Sequence, residues 1–188
     1  MAEAYPTILA GQRITAALLS SMQPQVARKT ADTQRAATTT TVADPHLTFE
    51  VVANAVYVWW GWLKYDAPTA ADINLDFSAP TGALGEWMGH GVGITRVVGA
   101  TDAATPVNTA DTVGSTGYLI RVETTDVTAA RSYGGLGTGG TPLTVVLNGT
   151  LRMGSTAGTF SLDWAQRVSD ATNTTVYTDS WLAMQRVA

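Results

Sequence analysis

The sequence predicts an all-β protein, an antiparallel β-sandwich of jelly-roll type preceded by a short N-terminal helix and an extended tether. Three observations carry that expectation. From Leu47 to Val187 apolar and polar residues alternate with a period of two, the repeat of strands whose successive side chains point to opposite faces. Gly, Pro and Asn-Gly steps break the alternation at strand-length intervals. A strand-turn-strand unit, Gly61 to Phe77, is echoed by Gly149 to Trp164 with one residue fewer in the turn, both copies ending Leu-Asp-aromatic. Two equivalent hairpins in one small domain suggest a pseudo-symmetric pair of sheets.

The first element is a helix. The Thr15 hydroxyl can accept a first-turn amide and Pro24 cannot continue the helix, which places it between Thr15 and about Gln23. Ile14, Leu18 and Met22 fall on one stripe with Leu19 beside it. A helix this short is not stable alone in water, so the stripe must pack, either on its own domain or on a neighbouring subunit. Gln25 to Thr41 is polar and reads as a tether. Arg28, Lys29, Asp32 and Arg35 are bunched in it, as a solvated face or as an intersubunit salt network, and the β-branched Thr38 to Thr41 favours extended backbone. The chain thus divides into an anchor segment, residues 1–35, and a sandwich, residues 36–188.

Leu47, Phe49 and Val51 make the first clear strand face. Ala55 to Lys64 is apolar on both faces, Val58, Trp60 and Trp62 on one and Tyr57, Trp59 and Leu63 on the other, so it is a central strand whose outer face meets a subunit neighbour or a covering loop. Ile73, Leu75 and Phe77 alternate with Asp72, Asn74 and Asp76. Further strands are expected at Tyr118 to Val122, Leu143 to Met153, Phe160 to Arg167, Val176, and Trp181 to Val187. Gly82 to Gly114 and the glycine-rich Tyr133 to Gly140 read as long loops and as the preferred place of partner contact.

Composition excludes several classes of function. A chain of 188 residues can bury a core without metal or disulfide staples, and the absence of Cys removes thiol chemistry and Cys-ligated zinc. A net charge of -4 with sparse, dispersed Lys and Arg offers no footprint for nucleic acid. No apolar run approaches membrane-spanning length, and Met1 to Pro6 lacks the features of a signal peptide, so a protein made in a bacterial cytoplasm and released by lysis is expected. No cofactor, metal or membrane insertion is expected.

Catalytic constellations come up short. His46 and His90 have no second ligand at usable spacing and read as turn or loop histidines. Asp72, Asp76 and Asp163 could supply paired carboxylates for glycosidic cleavage, but they alternate with core residues as solvated strand charges do. The glycine string lacks the Lys-Ser or Lys-Thr of a phosphate loop, and no Ca²⁺ loop pattern occurs. The sequons at Asn148 and Asn173 would need a secretory route. Six Trp residues, Trp59, Trp60, Trp62, Trp87, Trp164 and Trp181, exceed what one small core can absorb, and exposed aromatics serve subunit interfaces or stack on sugars.

Gly11 to Pro24, followed by Ala27 to Asp32, resembles the start of small tail-fibre or minor-tail proteins of actinobacterial phages and prophages. Gly158 to Gln166 and Asp179 to Leu182 resemble their closing strands. The resemblance implies a non-enzymatic virion structural protein, a homotrimer attached to the tail and to other virion proteins and displaying its sandwich. A capsid decoration protein at threefold positions, and a receptor- or carbohydrate-binding module for a host-surface glycan, are the alternatives. The residues expected to anchor or to form interfaces are Ile14, Leu18, Leu19, Met22, Trp59, Trp60, Trp62 and Trp87.

Overall fold

The computed structural model describes residues 5–92, 127–138 and 142–188. The expected strand Tyr118 to Val122, and the part of the expected loop beyond Val92, lie outside the described residues. The chain folds as a sandwich of two antiparallel sheets. Helix α1 (Ala16–Ser21) comes first, and the Thr15 side chain accepts the Leu18 amide at 3.2 Å, as its position before the helix predicts.

The large sheet contains β1 (Gln25–Arg28), β2 (Thr33–Arg35), β4 (Val56–Asp66), β6 (Leu84–His90), β8 (Leu143–Arg152), β10 (Thr174–Val176) and β11 (Trp181–Arg186). The small sheet runs β3 (Val42–Val51), β9 (Gly158–Gln166), β5 (Ile73–Ser78), β7 (Arg131–Tyr133). Strand β4 lies at the middle of the large sheet. One edge pairs with β8 over its whole length, Val56 opposite Arg152 to Tyr65 opposite Leu143. The other edge is shared by β11 and β10.

The internal repeat has a structural meaning different from a hairpin. In each copy the first strand (β4, β8) lies in the large sheet and the second (β5, β9) in the small one. The two copies pair with each other, β4 with β8 and β5 with β9, both antiparallel. The repeated unit is thus an arch that crosses the core, and two arches form the centre of the sandwich.

Aromatic side chains join the sheets. Phe77 from β5 contacts Trp59 (ring centroids 4.6 Å), Trp87 (5.1 Å, edge-on) and Phe160 (5.3 Å, stacked). Trp59 and Trp87 come from the large sheet, Phe77 and Phe160 from the small one, and all four are buried. Gly149 makes room for this cluster, because a Cβ there would lie 2.3 Å from the Trp59 ring.

Two expectations are corrected. Gln25 to Arg35 is not a tether, since β1 pairs with β11 and β2 with β10, so the sandwich begins at Gln25. These strands carry polar outward residues and are short, which hides them from a periodicity test. The expected loop from Gly82 contains β6, a full partner of β8 with Trp87 in the core. Its glycines are strand residues under close approach, since a Cβ at Gly85 would lie 2.3 Å from the Thr150 carbonyl oxygen.

Phe77 contacts aromatic rings from both sheets, so its loss should be felt by the whole fold. Phe77→Ala is expected to lower the unfolding free energy by about 3–5 kcal/mol, the usual cost of removing a buried phenyl group. A urea titration followed by Trp fluorescence measures this.

Candidate functional site

The outward side of the large sheet is an uncharged aromatic field with a charged rim. The strand registers place its residues in rows across five strands. One row runs Arg28, Trp181, Trp62, Val146, His90, and the next runs Val26, Ala183, Trp60, Asn148, Met88. A third, shorter row runs Gln185, Val58, Thr150, Glu86. Trp60, Trp62 and Trp181 are half-buried, while Val26, Val58 and Val146 are 65%, 37% and 42% exposed. Lys64, whose ammonium lies 5.6 Å from the centre of the Tyr177 ring, continues the outward face of β4. A solvated sheet face is ordinarily polar, and the apolar centre with Arg28, Glu86 and Arg152 at its margins is the anatomy of a contact surface.

An apolar arm meets this face at its edge. None of the helix residues is buried, Leu18 is half-buried, and Ile8, Leu9, Ile14, Leu19 and Met22 are 44–69% exposed. The arm is held to its own chain at two points, where the Arg186 guanidinium stacks 3.9 Å from the Tyr5 ring centre and the Gln185 side chain donates to the Met22 carbonyl at 2.9 Å. Gln185 belongs to the aromatic face. Of the expected stripe, Ile14 and Met22, with Leu19 beside them, are exposed, and Leu18 is half-buried.

Trp59 and Trp87 are removed from the set of interface residues. Both point inward and are 1% exposed, because they sit one residue out of phase with Trp60 and Trp62 or on the inward row of β6. In the glycine-rich stretch after Tyr133, Gly134 and Gly135 are buried, while Leu136 and Thr138 are exposed. The Tyr65 hydroxyl donates to the Gly134 carbonyl at 2.7 Å, and a Cβ at Gly135 would lie 2.4 Å from the Ala67 carbonyl oxygen. Burial pushes the Tyr65 phenol well above its usual range.

The cluster read from Arg28 to Arg35 divides: Arg28 and Asp32 are solvated as expected, whereas Lys29 is buried and Arg35 half-buried. Lys29 and Asp44 are fully buried and paired at 2.6 Å. Lys29 Nζ also donates to Thr33 Oγ1 at 2.8 Å, and the Trp164 indole N–H donates to Asp44 Oδ2 at 3.1 Å. The Arg35 guanidinium donates to the carbonyls of Val42, Ala43 and Trp164 and lies over the Trp164 ring. Desolvation lowers its pKa, against the opposing influence of Asp44 and Asp163. Arg28 pairs with Asp179, and Asp32 accepts the Thr178 amide, so both tie the β1-β2 segment to the turn between β10 and β11. No apolar periodicity flags Lys29, and its burial is legible only after that segment is docked.

His46 lies on β3 of the small sheet and His90 at the end of β6 of the large one, so the two histidines do not converge. Asp76 and Asp163 do meet, as direct cross-strand partners on β5 and β9. Asp163 accepts the Ser78 and Ser161 hydroxyls, both at 2.6 Å, which occupies it in the sheet surface. Asp72 lies apart from them, accepting the Gly135 amide at 2.9 Å, with Arg167 3.6 Å away. Tyr177 donates to Asp66 at 2.5 Å, and that hydrogen bond, with burial, leaves its phenol pushed up to about 12. Among the described residues no group of three metal-ligating side chains converges, and no helix is long and apolar enough to cross a membrane.

No family model matches the chain. No curated protein sequence matches it either. Among solved structures, that of infectious bursal disease virus, Gt strain, aligns over 99% of this chain and 46% of its own at 13% identity and a TM-score of 0.18. The VP2 subviral particle of the same virus aligns over 90% and 43% at 15% identity and a TM-score of 0.16. The chain spans less than half the length of either. Likeness at this level carries no argument, and function has to be read from the surfaces described above.

Asp72 offers a test of the electrostatics. Burial raises its pKa, opposed by the Gly135 amide and by Arg167. A carboxyl raised in the folded state contributes stability that is fully present below its unfolded value, about pH 4, and is lost as pH rises through the folded value. Asp72→Asn removes this dependence, and Asn tolerates the left-handed φ of 54° found there. The melting temperature of Asp72→Asn relative to wild type should therefore be higher near pH 7 than near pH 4, as read by scanning calorimetry.

Proposed function

We propose that this chain is a non-enzymatic bacteriophage virion structural protein, a tail fibre or minor tail component. It displays its sandwich and is attached by its N-terminal arm. The observation that carries the proposal is the coexistence, in one chain, of an aromatic-centred sheet face and an exposed apolar arm beside it. A protein acting alone would gain nothing from leaving both in water, whereas a component of a repeating assembly has a partner for each. The face spans five strands, so its footprint is roughly 20 Å by 25 Å at the usual strand spacing and rise. That projected area is of the same order as the ~800 Å² of accessible surface per partner in a stable protein interface. The resemblance of Gly11 to Pro24 and of Gly158 to Gln166 to phage tail proteins supports the virion setting.

In this reading the face joins copies of the chain, as a homotrimer by analogy with tail fibres, and the arm docks into another virion subunit. The half-exposed Trp60, Trp62 and Trp181, in two adjacent rows, also favour a second reading, a glycan-stacking surface. The readings separate experimentally. Trp62→Asp should convert an oligomer into a monomer with unchanged circular dichroism, as measured by light scattering after size exclusion. A wild-type monomer that binds a polysaccharide through Trp62 would favour the glycan surface instead.

The arm is tested by deleting residues 1–22, which spares every strand. The shortened protein should fold with wild-type circular dichroism but be missing from purified particles. Incorporation at the normal level would show that attachment lies elsewhere.

A further inference from the structure

Lys29 and Asp44 are placed for more than an ion pair. Lys29 follows β1 and is fixed by its backbone, its amide donating to the Ser180 carbonyl at 2.8 Å and its carbonyl accepting from the Asp179 amide at 3.0 Å. Its ammonium lies 2.6 Å from Asp44 Oδ2, and both side chains are 0% exposed. Asp44 sits on β3, where the ladder with β9 is irregular between Ala43 and Thr48. Its Oδ1 accepts the His46 amide at 3.0 Å and its Oδ2 the Trp164 indole N–H at 3.1 Å. His46 Nδ1 is buried without a hydrogen-bond partner and lies 3.8 Å from Asp44 Oδ1.

We propose that Lys29 and Asp44 are the two ends of an intramolecular isopeptide cross-link, an amide formed between Nζ and the carboxyl carbon. Two opposite charges sealed from water are costly to maintain, and passing one proton from Nζ to the carboxylate leaves a neutral amine against a neutral acid. A fixed, dry contact of this kind replaces a bimolecular encounter with an intramolecular one of high effective concentration. Nζ adds to the carboxyl carbon, and the carbonyl electron pair moves to Oδ1, where the His46 amide stabilises it as an oxyanion-hole donor does. A second proton passes from Nζ directly to Oδ2, its hydrogen-bond acceptor at 2.6 Å. The bond from carbon to Oδ2 breaks, one water leaves held by the Trp164 N–H, and the remaining proton on nitrogen belongs to the amide. The Nζ–carbon bond is gained, the carbon–Oδ2 bond is lost, and nothing is oxidised or reduced.

Such a bond would tie the end of β1 in the large sheet to β3 of the small sheet in a chain that has no cysteine. A pull on the N-terminal arm could strip the four-residue strand β1 from β11 but would be stopped at Lys29, before it reached β2. The cross-link does not depend on the assembly reading and is tested on the free protein.

The test is peptide mapping of the purified full-length chain under denaturing conditions. A cross-linked chain resists trypsin after Lys29 and yields residues 29–35 and 36–64 as one branched species, lighter than the sum of the two peptides by one water. Lys29→Arg, which keeps the cation and the trypsin site but cannot form this amide, should yield residues 30–35 and 36–64 as separate peptides. Wild-type protein that is cleaved after Lys29 and has the full mass of its peptides would overturn the cross-link whatever the variants do, leaving a buried ion pair.

Discussion

A strand that is apolar on both sides sets the terms for the rest of the molecule. Strand β4 carries Tyr57, Trp59, Leu63 and Tyr65 inward and Val58, Trp60 and Trp62 outward, and no arrangement of a single sandwich buries both rows equally. The inward row is satisfied by the small sheet through Trp59, Phe77 and Phe160. To bring that row to the centre, β4 is paired on both edges along most of its length, by β8 on one side and by β10 and β11 on the other. The pairing of the C-terminal strands onto β4, and of β1 and β2 onto them, follows from that demand. The outward row then remains as the one large apolar surface among the described residues.

The repeated arch explains how a chain of this length builds such a centre economically. Each copy supplies one strand to each sheet and turns between them through small residues, so laying the copies antiparallel generates the two middle pairs at once. Gly149 in the second copy leaves the space that Trp59 of the first copy fills. The copies are therefore alike in backbone role but divided in side-chain role, one aromatic and one small where they face each other. Large and small residues interdigitating in this way are what close packing requires.

Buried polar groups join the β1-β2 segment to β3 and β9 of the small sheet. Lys29, Asp44, Arg35 and Trp164 satisfy one another and the carbonyls of β3 and β9. A hydrophobic contact would hold β1 and β2 with little preference for register, whereas a buried charge pair tolerates few positions and breaking it is strongly destabilising. The β1-β2 segment that follows the arm is thus registered by electrostatics, while Ile14, Leu19 and Met22 of the arm stay exposed.

Much of the fold was legible from local chemistry, and the limits are physical. Thr15 before an apolar helix, the alternation in β3, β5, β8 and β11, and the two-faced character of β4 are properties of adjacent residues, so a period of two or a capping hydroxyl reveals them. That Trp60 and Trp62 share one face and Trp59 the other follows from the same period. Which of those faces is the inside does not, because it depends on Phe77 and Phe160 arriving from distant parts of the chain. Strand β6 hid behind glycines that are needed because Thr150 and Tyr133 approach its backbone, and strands β1 and β2 behind polar residues. The burial of Lys29 beside Asp44 was decided only by tertiary structure, since a lysine among charged neighbours reads as solvated until two sheets close over it.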